Sequence, residues 1–403
     1  MRVLLVGSGG REHAIGWKLA QSPRVTELLS LPGNPGLAEL GPVVEGIDVN
    51  DVGAISAMAR IHGVDLVVIG PEAPLAAGLA DAIARLGIRV FGPTRAAARL
   101  ESSKAFAKDV MARGGIPTGR SETFIEPGDA TAHLDRSDPP FVVKADGLAA
   151  GKGVLVTDSR TDAASWAEYW IEHGPVVIEE FLNGPEVSVF AVCTDSGAVP
   201  LEPARDYKRL LEGDEGPNTG GMGSYSPVGD LPPDLVDRAM SEVINPTLDQ
   251  MRSDGNPFTG FLYAGLVLTD DGPKVLEFNV RLGDPECQAV LPRMTSDLVD
   301  VLEGAKPEWS EMATVNVVLA AHGYPTAPER GAEIRGLDGG LPRDVLVFHA
   351  GTVSEGKKLF VNGGRVLNVV GIGPSLTTAR ARAYEVAETI TWPGVHYRRD
   401  IAG

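Results

Sequence analysis

The chain of 403 residues is 43% hydrophobic and 22% charged, with a formal net charge of −18. That length allows about two to four domains and a sizeable buried core. The acidic balance excludes partners bound through a broad basic face, such as nucleic acid or an anionic membrane, and no apolar stretch approaches the roughly 20 residues that cross a bilayer.

In chain order, RVLLVG reads as a buried strand and REHAIGWKLAQ as a helix. VTELLSL, DLVVIGPE and IRVFGP are further strands, separated by the helices DVGAISAMARIHG and PLAAGLADAIARLG. This βαβ rhythm predicts a parallel sheet over residues 1–103 with ligands at the carboxyl ends of its strands. A linking helix is expected from about Ala96 to Arg113. The pattern then becomes α+β, with strands PFVVKADG and PVVIEEFL flanking a helix around Thr161–His173. A small lid over about 119–187 and a body reaching to 325 are predicted. The remainder, 326–403, reads as a small β-rich unit. In it, Asn362-Gly363 signals a hairpin and Leu376–Ile390 an amphipathic helix. Cys193 and Cys287 lie far apart without metal-like spacing and read as small core residues. With an opening apolar run too short for a signal-peptide core, a reducing cytoplasm is the expected compartment.

Val275–Gln288, VLEFNVRLGDPECQ, carries the most chemistry. On a strand, Leu276, Phe278 and Val280 face one way and Glu277, Asn279 and Arg281 the other. A carboxylate, a neutral oxygen donor and a cation on one face suit Mg²⁺ and a polyphosphate. The turn after it adds Asp284 and Glu286 to the same rim. Upstream, Gly7-Ser8-Gly9-Gly10-Arg11-Glu12 departs from a dinucleotide fingerprint, because Glu12 stands where the third glycine belongs. Free N–H groups at a helix start still suit an anion. Lys144 follows the apolar run Phe141-Val142-Val143 and leads into a glycine-rich segment containing Gly151, Lys152 and Gly153. Its spacing is not that of a Walker A loop, and it reads as a flap over phosphates beside a fixed cation.

RLGDPECQAV (Arg281–Val290) resembles the signature segment of the phosphoribosylamine–glycine ligase (glycinamide ribonucleotide synthetase) family of the ATP-grasp superfamily. GSGGREHA, GPEAPL, VVKADGLAAGKGV, EEFLNGPEVS and PNTGGMGSYSP precede it in the family's order, so the likeness spans the chain. The resemblance implies a Rossmann-like N-terminal domain, a central ATP-grasp domain with a mobile lid and a small β-rich C-terminal domain. It implies ATP and Mg²⁺ or Mn²⁺, with Glu277 and Asn279 holding the metal. Lys104, Lys144, Gly151, Gly153, Glu179, Glu180, Phe181, Leu182 and Glu186 then form the ATP site, and Arg281 and Asp284 act in catalysis. Gly9, Gly10, Arg11, Glu12 and Glu72 are assigned to 5-phosphoribosylamine. Asp206, Lys208, Asn218, Thr219, Gly220 and Gly221 are assigned to the acceptor side.

The implied reaction joins glycine to 5-phosphoribosylamine through glycyl phosphate, in de novo purine biosynthesis. Another ATP-grasp ligase or carboxylase using a different acid is the alternative. The sequence offers no exposed heptad or obvious dimer helix, so a monomer is expected. Tyr207 replaces the family's commoner His and receives no role. Leu282 and Cys287 replace the commoner Phe and Thr without removing a ligand. LYAGLVL, on the strand before Glu277, lacks the second metal-binding acid of many ATP-grasp relatives, which leaves one or two metals open.

Overall fold

The computed structural model describes residues 1–148 and 153–403. β1 (Arg2–Gly7), β2 (Glu27–Pro32), β3 (Leu66–Ile69) and β4 (Arg89–Phe91) form a parallel sheet in the order β2-β1-β3-β4. β1 is a continuous apolar run because both faces are covered: Leu4 and Val6 join one core cluster, Val3 and Leu5 another. Both clusters continue into the middle of the chain, so this domain and the body share their cores.

β5 (Ser121–Phe124), β6 (Phe141–Ala145), β7 (Val154–Thr157) and β8 (Val176–Glu179) form an antiparallel sheet in the order β5-β8-β6-β7. With helices Pro127–Leu134 and Arg160–Ile171 it encloses a small core of its own, including Phe124, Leu134, Val143 and Ile178. This is the unit expected as the lid.

The chain continues through β9 (Glu186–Thr194), β10 (Gly197–Pro200), β11 (Arg205–Asp206), β12 (Arg209–Leu211), β13 (Glu215–Asn218), β14 (Gly223–Ser226), β15 (Gly260–Thr269), β16 (Gly272–Asn279) and β17 (Ala313–Ala320). The body sheet runs β10-β9-β15-β16. The last strands are β18 (Glu333–Ile334), β19 (Val345–His349), β20 (Thr352–Glu355), β21 (Lys358–Val361) and β22 (Arg365–Gly373). A second large sheet, β11-β14-β17-β22-β19, combines three strands from before the expected boundary at 326 with two from after it. Helix Leu376–Ala387 packs on that sheet.

Local expectations fail at three places. The helix expected through Leu79 breaks at Gly78, whose φ of +91 ends Glu72–Ala77 and starts Leu79–Arg85. The linking helix breaks at Ser103, which is extended and caps Lys104–Gly114 by accepting from the Phe106 N–H. Asn362-Gly363 is not a hairpin turn. β21 pairs with β18 and β20, whereas β22 pairs with β17 and β19. The glycine there serves close approach instead: a Cβ on Gly363 would sit 2.9 Å from the Gly351 backbone.

The first and last regions meet at a buried histidine pair. His13, on helix Gly10–Leu19, accepts a 2.8 Å hydrogen bond at Nδ1 from the His349 N–H, and His349 Nδ1 lies 3.1 Å from the Thr352 hydroxyl. Burial lowers both rings, to about 3 for His13, with His349 adding to the shift, and to about 4 for His349. The unfolded chain therefore binds protons that the folded one excludes. The pair's contribution is complete above about pH 6.5 and is lost as pH falls toward 4, at up to about 1.4 kcal/mol per pH unit for each ring. Urea midpoints at pH 7 and pH 5 should diverge in the parent and diverge less in His13→Gln. Equal pH dependence in both would remove the pair from the acid response.

Candidate active site

The site is organised around β16. Its register with β15 slips by one residue, since Gly265 faces Glu277 while Leu266 faces Val275. Leu276, expected on the apolar face, is the unmatched residue of this bulge and is only half-buried. Its carbonyl accepts from Lys144 Nζ at 3.2 Å. Glu277, Asn279 and Arg281 do form a connected row: Asn279 Nδ2 lies 3.4 Å from Glu277 Oε1, and Arg281 donates to Asn279 Oδ1 at 3.0 Å. Burial alone would raise the Glu277 pKa, but Lys208, Lys144 and Arg281 overcome that and hold it below the usual carboxylate range.

Two carboxylates clamp Arg281. Glu101 Oε1 lies 2.9 Å from it, and Glu72 Oε2 lies 3.3 Å away. Glu101 also accepts the Val280 N–H at 2.8 Å. Glu72 continues the chain of charges to Arg11 at 4.0 Å, and Arg11 pairs with Glu12 at 2.6 Å. The glycine loop therefore meets the β16 row through side chains from three segments. Its expected anion cradle is altered by Glu12, which turns back to accept the Gly9 N–H at 2.7 Å and fills the space beside Gly7 and Gly70. The Gly9 N–H is thus already paired with the helix's own carboxylate and is not free for an outside anion. Gly10 instead packs against Gln288 and Asn368, where a Cβ would overlap both side chains.

The β5–β8 unit contributes Lys144 and a buried counterion, Glu179. Buried Glu179 bridges Lys144, on the neighbouring strand, and Lys108, on helix Lys104–Gly114, at 2.8 Å. Its carboxylate thus holds lysines in place and does not lie on a solvated strand end. Lys104 donates to the Gly147 carbonyl at 3.0 Å, while Asp146 accepts from the Ser103 hydroxyl and the Ala105 N–H. Gly153 accepts the Ala145 N–H, closing the β6–β7 connection; Gly151 and Lys152 lie outside the described residues. Beyond β8, Glu180 contacts Arg120, Phe181 is 42% exposed and Leu182 is half-buried. Glu186 pairs with Lys208.

Asp206, Lys208 and Glu186 gather near Glu277, with Glu286 and Tyr263 among their neighbours. Ser188 Oγ donates within 2.9 Å of Tyr263 Oη and lies 3.1 Å from Glu286 Oε1. Burial and the neighbouring carboxylates push Asp206 up to about 7 against the opposing pull of Lys208. Lys208 is held protonated: burial works against its charge, but Asp206 and the surrounding acids outweigh it. Asn218 and Gly220 are exposed, whereas Thr219 donates to the Lys208 carbonyl and Gly221, at φ +107, lies against Pro285. Asp284 accepts from Gln288 at 2.8 Å and pairs with Arg365 at 3.1 Å. Tyr207 turns away to the C-terminal tail, where its hydroxyl accepts the Ala402 N–H and its ring stacks under Arg398.

The donors fit a hard divalent cation that takes its other ligands from phosphate and water. Glu277 and Asn279 offer oxygen ligands, and the residue opposite Glu277 on β15 is Gly265, which offers no side-chain ligand. Among the described residues no group of three or more His, Cys, Asp or Glu forms a metal cluster. Sequence reasoning missed Glu101, Lys108 and Arg365. Each acts through a partner distant in the chain, so no local pattern identifies them.

The comparisons agree along the whole chain. Models of the phosphoribosylglycinamide synthetase N domain, ATP-grasp (A) domain and C domain match residues 1–101, 102–287 and 314–403. The phosphoribosylamine–glycine ligase of Streptomyces coelicolor is 49% identical, with 100% of this chain and 99% of that protein covered. The Caulobacter vibrioides enzyme of the same name is 48% identical, at 100% and 97% coverage. A crystal structure of phosphoribosylamine–glycine ligase from Thermotoga maritima superposes with a TM-score of 0.87 at 39% identity, covering 100% of both chains. The biotin carboxylase domain of Hydrogenobacter thermophilus 2-oxoglutarate carboxylase, at 16% identity and TM-score 0.74 over 98% of this chain and 91% of that one, shares the fold. With all three domain models matched in order and full-length relatives at 48–49% identity, the chain belongs to the phosphoribosylglycinamide synthetase family.

Proposed function

We propose that the chain is an ATP-dependent, ADP-forming ligase that joins glycine to 5-phosphoribosylamine, yielding glycinamide ribonucleotide and phosphate for purine biosynthesis in the cytoplasm. The observation that carries this reading is the connected row Glu277–Asn279–Arg281, which faces Lys144 of the lid and is tied through Glu72 to Arg11 of the N-terminal domain. A nucleotide, a small acid and a phosphorylated sugar amine each find a wall there. The names and identities of the full-length relatives support the same substrates.

A carboxylate is a poor electrophile, so glycine is activated first. Its oxygen attacks the γ-phosphorus of ATP, ADP departs, and the sugar amine then displaces phosphate from glycyl phosphate while losing a proton. Lys104 and Lys144 neutralise nucleotide phosphates, and Arg281 faces the transferring group. Phe181 and Leu182 receive the adenine, and Glu186 accepts from the ribose hydroxyls once its Lys208 contact opens. Asp206, Lys208 and the Asn218–Gly221 loop enclose glycine. Asp284 orients the amine, with Arg11 and Glu72 near the sugar. Glu277 and Asn279 would hold Mg²⁺ or Mn²⁺, which would supply positive charge against the nucleotide's phosphates. The β5–β8 unit covers the phosphates and excludes water from the acyl phosphate.

ADP release measured with ATP, Mg²⁺, glycine and phosphoribosylamine generated from ribose 5-phosphate and ammonia tests the reading. Release that needs both glycine and the sugar amine, with formation of their amide, is expected. Release indifferent to glycine would assign the chain to a sister ligase with a different acid.

A further inference from the structure

Arg365 opens β22 and reaches from the C-terminal sheet into the site. Its Nη1 donates to the carbonyls of Gly220 at 2.5 Å and Asp284 at 2.6 Å, and its Nη2 lies 3.1 Å from Asp284 Oδ2. Those partners stand 145 and 81 residues earlier in the chain. The same surface supplies a second tie, since the Tyr324 hydroxyl accepts the Gly220 N–H at 2.8 Å. The Tyr324 ring lies against Gly364, where a Cβ would come within 2.5 Å of it. Gly220 is therefore held on both its N–H and its carbonyl by side chains from the C-terminal third of the chain.

We propose that Arg365 is a positioning residue, which locks the Gly220 loop to the Asp284 turn and so sets the acceptor end of the site. The inference rests on the reading of Asp284 and the Asn218–Gly221 loop given above. A planar guanidinium can serve two acceptors in fixed directions, which a lysine ammonium cannot. A displacement of about 1 Å between reacting groups can cost about a hundredfold in rate. Arg365 also acts on the charge of Asp284. Burial would raise that carboxyl, and Arg365, Arg11, the Gln288 amide and Arg281 together bring it below the usual range. The Glu12 carboxylate also lies close to Asp284, since a Cβ on Gly9 would stand 2.8 Å from Glu12 Oε2 and 3.5 Å from Asp284 Oδ2.

The test compares the parent with Arg365→Gln and Arg365→Lys, by ADP release across pH and by amide hydrogen exchange at Thr219–Gly221. Arg365→Gln is expected to lower kcat by about tenfold or more. Its KM for ATP should stay within about twofold of the parent, its acid limb should move to higher pH, and the Gly220 and Gly221 amides should exchange faster. Arg365→Lys keeps the charge but not the fork, so the acid limb stays while kcat falls and exchange quickens. Parent-like kcat and loop exchange in Arg365→Gln would overturn the proposal, as would an ATP affinity that falls in step with kcat. Should Arg365→Gln not fold, parent-like kcat and exchange in Arg365→Lys overturn it. A parent without glycine-dependent ADP release would instead refute the proposed reaction, and the exchange comparison would still decide the contact.

Discussion

Glu277→Gln is expected to lower turnover by at least about 10³-fold, while the KM for glycine changes by less than about threefold. The carboxylate is ionised at neutral pH, because Lys208, Lys144 and Arg281 more than offset the effect of its burial. Gln keeps the shape and one oxygen but removes the charge that a divalent cation requires. On β16 the oxygen donors of that face are Glu277 and Asn279, and the residue opposite Glu277 on β15 is Gly265. No neighbouring acid on that strand can take over. Initial rates of ADP formation over a range of Mg²⁺ or Mn²⁺ concentrations provide the measurement. The half-saturating metal concentration should rise sharply, with partial recovery at high metal. Unchanged turnover would remove Glu277 from the metal site.

Glu179→Gln should produce the largest loss of stability, about 3–5 kcal/mol within the β5–β8 unit. One buried carboxylate answers two lysines, Lys144 and Lys108, and all three side chains are at most 11% exposed. Removing it leaves two buried cations without their counterion, which costs far more than losing an exposed pair. A chain of several domains need not unfold in one step, so the readout is amide exchange along β6 and β8. Exchange there should quicken by about a hundredfold or more. Adding Lys108→Met should recover part of the loss, because one of the two unpaired charges is then gone. The KM for ATP should rise as well, since Lys144 loses the partner that fixes it. A loss below about 1 kcal/mol in Glu179→Gln would mean that solvent reaches the pair.

The pKa of Asp206, near 7, comes from its burial and then from the acids crowded around it, and those acids keep Lys208 protonated against its own burial. Those acids arrive from β9, β11, β16 and the turn after it. Nothing in Asp206-Tyr207-Lys208 as a tripeptide announces that crowding. Tyr207 illustrates the same limit. It departs from the family's commoner residue, and its anchoring role becomes visible only when the C-terminal tail lies beside it.

Residue order was sufficient for whatever depends on spacing along the backbone. Alternation on a strand placed Glu277, Asn279 and Arg281 in one row, and the βαβ rhythm of the first hundred or so residues produced the parallel sheet. It was insufficient where a single residue changed phase, as at the Leu276 bulge, the Gly78 break and extended Ser103. A one-residue slip reassigns faces without altering composition. Tertiary packing decided the rest. Glu12 closed its own helix start, Asn362-Gly363 became a crossing between sheets, and Glu101, Lys108, Glu179 and Arg365 became partners of site residues. Pairing charges across long stretches of chain is an energetic consequence of their common burial. Burial is a property of the folded whole, so it leaves no mark in the local pattern of residues.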